Sequence, residues 1–170
     1  MPKAYYLAYG SNLHPRRLAE RVPSAKVIGV LDLSGYKLAF HKKSSDGSGK
    51  CMFYAGQDSN QKMYCVLYEL DAGEKAALDA VEGGGAGYSV EQIKVTFAGK
   101  VYKAFLYNVE PAFVVSELSP YSWYKKLVLA GAKYHGFPAD YIEAIKSLRS
   151  IVDRDEMRIS ENEKLLAWLE

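Results

Sequence analysis

The sequence predicts an α+β fold in which helices flank a mixed, partly barrel-like β-sheet. Aromatic and β-branched runs bounded by turn residues crowd the first two thirds of the chain. Stretches with helical spacing and capping signals fill the last third. That order, strands first and helices later, is the mark of an α+β arrangement. With 170 residues, 49% of them apolar, the chain is long enough to bury roughly 70% of the surface its unfolded form exposes. This length suits one domain over residues 1–170, with a polar C-terminal extension from about residue 150. No internal repeat, heptad pattern or long linker divides it.

Ala4 to Tyr9 reads as a first strand ending at Gly10. Ser11 and Asn12 are placed to cap a short helix reaching about Val22, with Pro15 in its first turn. Ala25 to Phe40 divides into two strands at Ser34-Gly35, and Lys42 to Gly49 is a polar loop. Lys50 to Ala55 and Lys62 to Glu69 are strands joined by a Gly-Gln-Asp-Ser-Asn turn. Asp71, with Glu74 three residues later, has the spacing of a capping box. Leu70, Ala77, Leu78 and Val81 give the helix that follows an apolar face. It ends at Glu82, because the run Gly83-Gly84-Gly85-Ala86-Gly87 breaks any helix.

Tyr88 to Phe97 and Lys100 to Val109 then form a hairpin around Ala98-Gly99. Ser119 caps a long helix with Pro120 at its first position, carrying Trp123, Leu127, Ala130 and Tyr134 on one stripe. Gly136 ends that helix and Pro138 starts another through Leu148. Ser160 with Glu163 signals a last short helix.

Composition narrows the function. Lys and Arg number 22 against 20 Asp and Glu, a formal charge of +2. That balance argues against a polybasic binder or an acidic solvating domain. The pairs Arg16-Arg17, Lys42-Lys43 and Lys125-Lys126 read as solvated faces, and a nucleic-acid surface needs a larger single-signed stripe. No 18 apolar residues run together, so no membrane span is expected. Ala4 to Gly10 is too short and polar for a signal-peptide core, which points to the cytoplasm. Cys51 and Cys65 lack zinc or redox spacing and read as buried, reduced thiols, close together if their strands form a hairpin. The 14 tyrosines, against three histidines, suggest a pocket or interface as well as a core.

Three places could carry chemistry. At Tyr9-Gly10-Ser11-Asn12 a strand meets a helix start, where successive backbone N–H groups converge on a carboxylate or oxyanion. The same residues also suit a tight turn with a helix cap. A serine nucleophile is not indicated, since the residues do not form Gly-x-Ser-x-Gly and His14 is too close in sequence to be its base. Glu82 is the second place. A carboxylate at a helix C-terminus meets the negative end of the macrodipole, which raises its pKa toward that of a proton acceptor and donor. It could equally be a solvated Glu in a frayed last turn. The glycines after it are no phosphate loop, because no Gly-Lys-Ser/Thr follows. The third is Ser119 to Ala139, whose Tyr121, Trp123 and Tyr124 could line a pocket or simply fill the core.

Taken in order, these residues resemble the γ-glutamylcyclotransferase family. The resemblance is carried by Tyr9-Gly10-Ser11-Asn12, by Leu78-Asp79-Ala80-Val81-Glu82-Gly83, and by Ser119-Pro120 followed by Tyr124-Lys125-Lys126 and Gly131-Ala132-Lys133. The late block through Gly136-Phe137-Pro138 to Tyr141 is similar to cytosolic vertebrate members. It spans roughly Ala4 to Leu148.

The resemblance implies the family fold and a reaction in which a γ-glutamyl α-amine attacks its own γ-carbonyl, releasing 5-oxoproline and an amino acid or amine. By the same resemblance Glu82 is the catalytic acid and base, and Tyr9, Gly10, Ser11, Asn12, Tyr88 and Tyr124 bind substrate. No metal and no cofactor are implied. The implied partners are a small γ-glutamyl substrate and a second copy in a homodimer, with no nucleic acid and no membrane. Two features depart from the pattern. The segment from Glu82 to Tyr88 is one residue shorter than in the vertebrate enzymes, on the leaving-group side. Asn12 stands where the glutathione-specific branch carries leucine, which favours γ-glutamyl amino acids or amines over glutathione. The alternative is a non-catalytic module that binds a γ-glutamyl or similar anionic group on the same fold.

Overall fold

Strand β1 (Lys3–Ala8) sits in the middle of a five-stranded sheet, in a computed structural model that describes residues 1–82 and 87–170. The sheet order is β2 (Lys26–Ser34), β5 (Lys62–Asp71), β1, β7 (Lys100–Val109), β6 (Tyr88–Phe97). β1 runs parallel to β7 and antiparallel to β5, so the sheet is mixed. β5 and β1 are its most buried strands: Cys65 to Tyr68 and Leu7 to Ala8 are fully enclosed. Their nearly continuous apolar runs are what a strand covered on both faces requires.

The remaining strands, β3 (Tyr36–Lys43) and β4 (Gly49–Ala55), pair only with each other. The α+β class with a mixed sheet therefore holds, but among the described residues no barrel closes: β2 and β6 remain edges and β3–β4 is a separate ribbon. The turn Gly56 to Gln61 thus links two sheets rather than making a hairpin. Ser48 explains why β4 pairs backward instead. Its N–H and hydroxyl both donate to Asp46 Oδ1, at 2.9 and 2.6 Å, closing a tight β3–β4 turn. Cys51 and Cys65 consequently lie in different sheets, both buried and free.

The helices are α1 (Pro15–Ala19), α2 (Lys75–Glu82, after a 3-10 turn at Ala72–Glu74), α3 (Ser122–Tyr134), α4 (Ala139–Ser147) and α5 (Glu156–Leu169). None is long and apolar enough to cross a membrane. Several capping expectations are overturned by longer-range partners. α1 is capped by His14, whose Nδ1 accepts the Arg16 N–H at 3.2 Å. Ser11 and Asn12 instead stay in a turn closed by Leu13 N–H to the Gly10 carbonyl, at 3.2 Å.

Glu74 does not close a box on Asp71; its carboxylate accepts the N–H and hydroxyl of Ser24, in the loop before β2. Ser119 gives its carbonyl to Gly49, and α3 begins three residues later, tied by Ser122 N–H to the Ile151 carbonyl at 2.8 Å. α3 buries Tyr124, Leu127, Val128, Gly131 and Ala132, whereas Tyr134 is 61% exposed and off the expected stripe. α5 is longer than expected because Asp155, not Ser160, caps it, accepting the Arg158 N–H at 3.1 Å. The expected break at 83–86 lies outside the described residues.

Candidate active site

The turn after β1 is held from below by two donors. Tyr68 Oη and His135 Nε2 both donate to the Leu13 carbonyl, at 2.7 and 2.6 Å. α3 presses against the same turn at Gly131, where a Cβ would stand 2.3 Å from that of Leu13. Gly10 also meets β4 closely, since a Cβ there would lie 2.9 Å from Cys51 Cβ and 3.1 Å from its sulfur. Glycine is needed at Gly10 for that approach, not for an unusual φ. The N–H groups of Gly10, Ser11 and Asn12 have no hydrogen-bond acceptor among the described residues.

Gly10, Ser11 and Asn12 line a small cavity of about 30 Å³. All seven residues singled out in the sequence line it: Tyr9, Gly10, Ser11, Asn12, Glu82, Tyr88 and Tyr124. Ser11, Glu82, Tyr88 and Tyr124 also line a basin of about 630 Å³ outside it. The cavity is thus the inner end of a larger cleft.

Glu82 is the last residue of α2, and its side chain is 16% exposed. Burial raises its pKa above the ordinary carboxylate value, and this outweighs the opposing charges of Arg21, Lys42, Arg17 and Lys50. Arg21 is the nearest, with Nη1 3.5 Å from Glu82 Oε1. Its guanidinium also donates to Asn12 Oδ1 at 3.1 Å, and Asn12 Nδ2 donates to Tyr6 Oη at 3.2 Å. The Asn12 side chain is therefore occupied in holding Arg21 toward Glu82.

The tyrosines divide by what their hydroxyls do. Tyr9 Oη donates to the Tyr107 carbonyl at 2.6 Å, and Tyr88 Oη to the Cys51 carbonyl at 2.5 Å. Both therefore present rings to the cavity. Tyr124 Oη accepts the Cys51 N–H at 3.1 Å and keeps a proton to donate. Burial pushes all three phenols up, so they stay protonated at neutral pH. Cys51 is likewise pushed up to about 12, which makes it an inert thiol.

Sequence reasoning missed the cations. Arg17, Arg21, Lys42 and Lys50 all line the basin, so Arg17 and Lys42 are not the solvated faces expected of them. One signal existed: Arg17 and Arg21 are four apart, a like-charge spacing that costs stability on one helical face. For Lys42 and Lys50 there was none, because what they face depends on how the ribbon packs.

Comparison with known proteins follows the same lines. An AIG2-like family model matches residues 62–145. Human γ-glutamylcyclotransferase is 33% identical over 153 residues, covering 84% of this chain and 77% of the human one. The mouse protein of the same name gives 33% identity over equal shares. A solved structure described as a γ-glutamyl cyclotransferase superimposes with a TM-score of 0.81 at 26% identity, covering 98% of this chain and 99% of that one. YkqA from Bacillus subtilis, at 21% identity and a TM-score of 0.72 over 89% of this chain and 57% of its own, shares the fold. With a third of the aligned residues in common with the human enzyme, and a fold shared end to end with a solved relative, this chain belongs to the γ-glutamylcyclotransferase family.

Proposed function

We propose that this γ-glutamylcyclotransferase-like enzyme releases 5-oxoproline from γ-glutamyl amino acids or amines, with Glu82 moving the proton. The observation that carries this reading is the largely buried Glu82 side chain on the same small cavity as Gly10, Ser11 and Asn12, whose N–H groups have no hydrogen-bond acceptor among the described residues. The inner cavity is about the size of one water. It suits a single reacting oxygen, with the rest of the substrate in the basin.

The substrate's α-amine attacks its own γ-carbonyl carbon, forming a five-membered ring and a tetrahedral oxyanion. Holding the chain in that shape supplies up to roughly 7–11 kcal/mol of the barrier. Attack requires an unprotonated amine. Glu82 takes one proton from the ammonium and gives it to the departing nitrogen as the original amide bond breaks. The second proton that the ring nitrogen sheds on closure ends on the same amine. 5-Oxoproline thus leaves as a neutral lactam, the released amine as an ammonium, and the enzyme ends as it began. A carboxylate whose pKa is raised by burial is the better base for an ammonium. The Gly10, Ser11 and Asn12 N–H groups bind the oxyanion, where one donor is worth about 2.7–4 kcal/mol in other enzymes. Tyr124 donates its remaining proton to the same substrate, while Tyr9 and Tyr88 shape the cavity with their rings.

Glu82→Gln tests the reading. 5-Oxoproline release should fall by about 10²–10⁴-fold while the thermal transition stays cooperative. Activity within tenfold of wild type would remove Glu82 from the mechanism. Stabilisation of the wild type by γ-glutamyl compounds, with no turnover of any, would instead support the binding-module reading.

A further inference from the structure

The basin outside the reaction centre carries more positive charge than the cyclisation uses. Five cationic residues line it, Arg17, Arg21, Lys42, Lys43 and Lys50, against one carboxylate, Glu82. Arg21 is engaged by Glu82 and Asn12, and Arg17 lies 3.5 Å from Glu20. Lys42 and Lys50 differ from these. They stand directly opposite each other in the β3–β4 ladder.

Like charges in that position repel. A register shift creates the pairing: β3 has two residues, Phe40 and His41, between the Ala39–Met52 and Lys42–Lys50 pairs, where β4 has only Cys51. Bulges of this kind re-aim side chains and recur beside active sites.

Lys42 is kept from water and Lys50 is partly so. Lys42 is only 5% exposed and makes no ion pair among the described residues. Its ammonium lies over the rings of Tyr88, at 4.8 Å, and Phe113, at 5.7 Å. Lys50 lies over Trp123 at 4.4 Å and Tyr124 at 4.2 Å, with Asp46 at 3.2 Å. Burial lowers the pKa of each. Lys50 already has Asp46 as a counter-ion, whereas the nearly buried Lys42 has only ring faces among the described residues, so the pair holds more positive charge than its protein partners offset. Such broken local rules collect where a ligand supplies the compensation. Tyr88 and Tyr124, the rings beneath these lysines, also border the inner cavity.

We propose, resting on the cyclotransferase reading above, that Lys42 and Lys50 bind the two carboxylates of a dianionic leaving amino acid. The preferred substrates are then γ-glutamyl peptides that release glutamate or aspartate. The ring bond forms first, the bond to the leaving nitrogen breaks as the tetrahedral oxyanion collapses, and the two protons lost by the attacking nitrogen end on the released amino acid.

The test compares γ-glutamylglutamate with its isostere γ-glutamylglutamine, which lacks the side-chain carboxylate of the leaving residue, following 5-oxoproline. Wild type should prefer the glutamate compound by about tenfold or more in kcat/KM, the scale of a hydrogen bond to a charged group. Lys42→Met and Lys50→Met should each shrink that preference severalfold, mainly through KM, while Lys42→Arg keeps it. Equal kcat/KM for the two compounds in wild type would overturn the proposal, as would Met variants that lower both equally. Wild type that releases no 5-oxoproline from either compound would overturn the cyclotransferase reading and the proposal with it.

Discussion

Arg21 acts on Glu82 against the effect of burial. Its guanidinium, 3.5 Å from Oε1, favours the ionised carboxylate, yet burial still leaves the pKa raised. A base with a raised pKa is protonated first as acid is added, so kcat/KM should fall as pH drops through that raised value. Removing Arg21 removes the nearest charge that favours ionisation. In Arg21→Met the acid limb of the profile should therefore move to higher pH, and a limb that stays put would show that Arg21 does not tune Glu82. Gly10 supports a second prediction. The new Cβ of Gly10→Ala collides with Cys51, an overpacking that costs about 1–3 kcal/mol, read as a lower denaturation midpoint. Adding Cys51→Gly removes the colliding atoms and should restore most of that loss. Gly10 and Glu82 stood out in the sequence because one lies in the turn just after a strand and the other ends a helix, where backbone rules act over a few residues. Arg21 was not, because its partners Asn12 and Glu82 are joined to it only by the fold.

At the scale of elements, existence was legible and partnership was not. The hairpin of β6 and β7 follows from Ala98-Gly99 alone, and its register runs unbroken from Tyr88–Val109 to Phe97–Lys100. Ala98 and Gly99 both take positive φ, as such a turn demands. The helix starts were misread where a side chain had a stronger distant partner, as Glu74 has in Ser24. The same competition fixes α5. Asp153, with no exposed side-chain surface, accepts from Trp123 Nε1 at 2.9 Å, Asp155 N–H at 3.0 Å and Arg158 Nη2 at 2.6 Å. Those donors, Arg158 first, hold its carboxyl well below the usual carboxylate range. A depressed pKa in the folded state means the contribution is complete above the ordinary value of 3.8 and is lost as pH falls below it toward the folded one. Asp153→Asn should thus lower Tm at neutral pH and narrow the gap to wild type in strong acid. A gap that stays constant with pH would mean that the ionised carboxylate is not what docks α5.

Across the whole molecule, a modest net charge conceals an uneven field. The formal charge is only +2, yet five cations and one carboxylate share a single basin. Composition could not reveal this, since Arg17 and Arg21 come from the first helical region and Lys42, Lys43 and Lys50 from the separate ribbon. Only the packing of that ribbon against the Gly10 turn and Tyr124 of α3 gathers them. A concave site with a large excess of positive charge concentrates anions and speeds their capture, an effect that salt screens over about 10 Å at 0.1 M ionic strength. For γ-glutamylglutamate, kcat/KM should therefore decline as sodium chloride is raised from about 0.01 to about 0.3 M, while kcat changes little. The decline should be shallower for γ-glutamylglutamine, which carries one charge fewer, and shallower again when Lys42→Met acts on the acidic substrate. If all three slopes are equal, the basin's field plays no part in capture, and the lysine pair acts through contact alone.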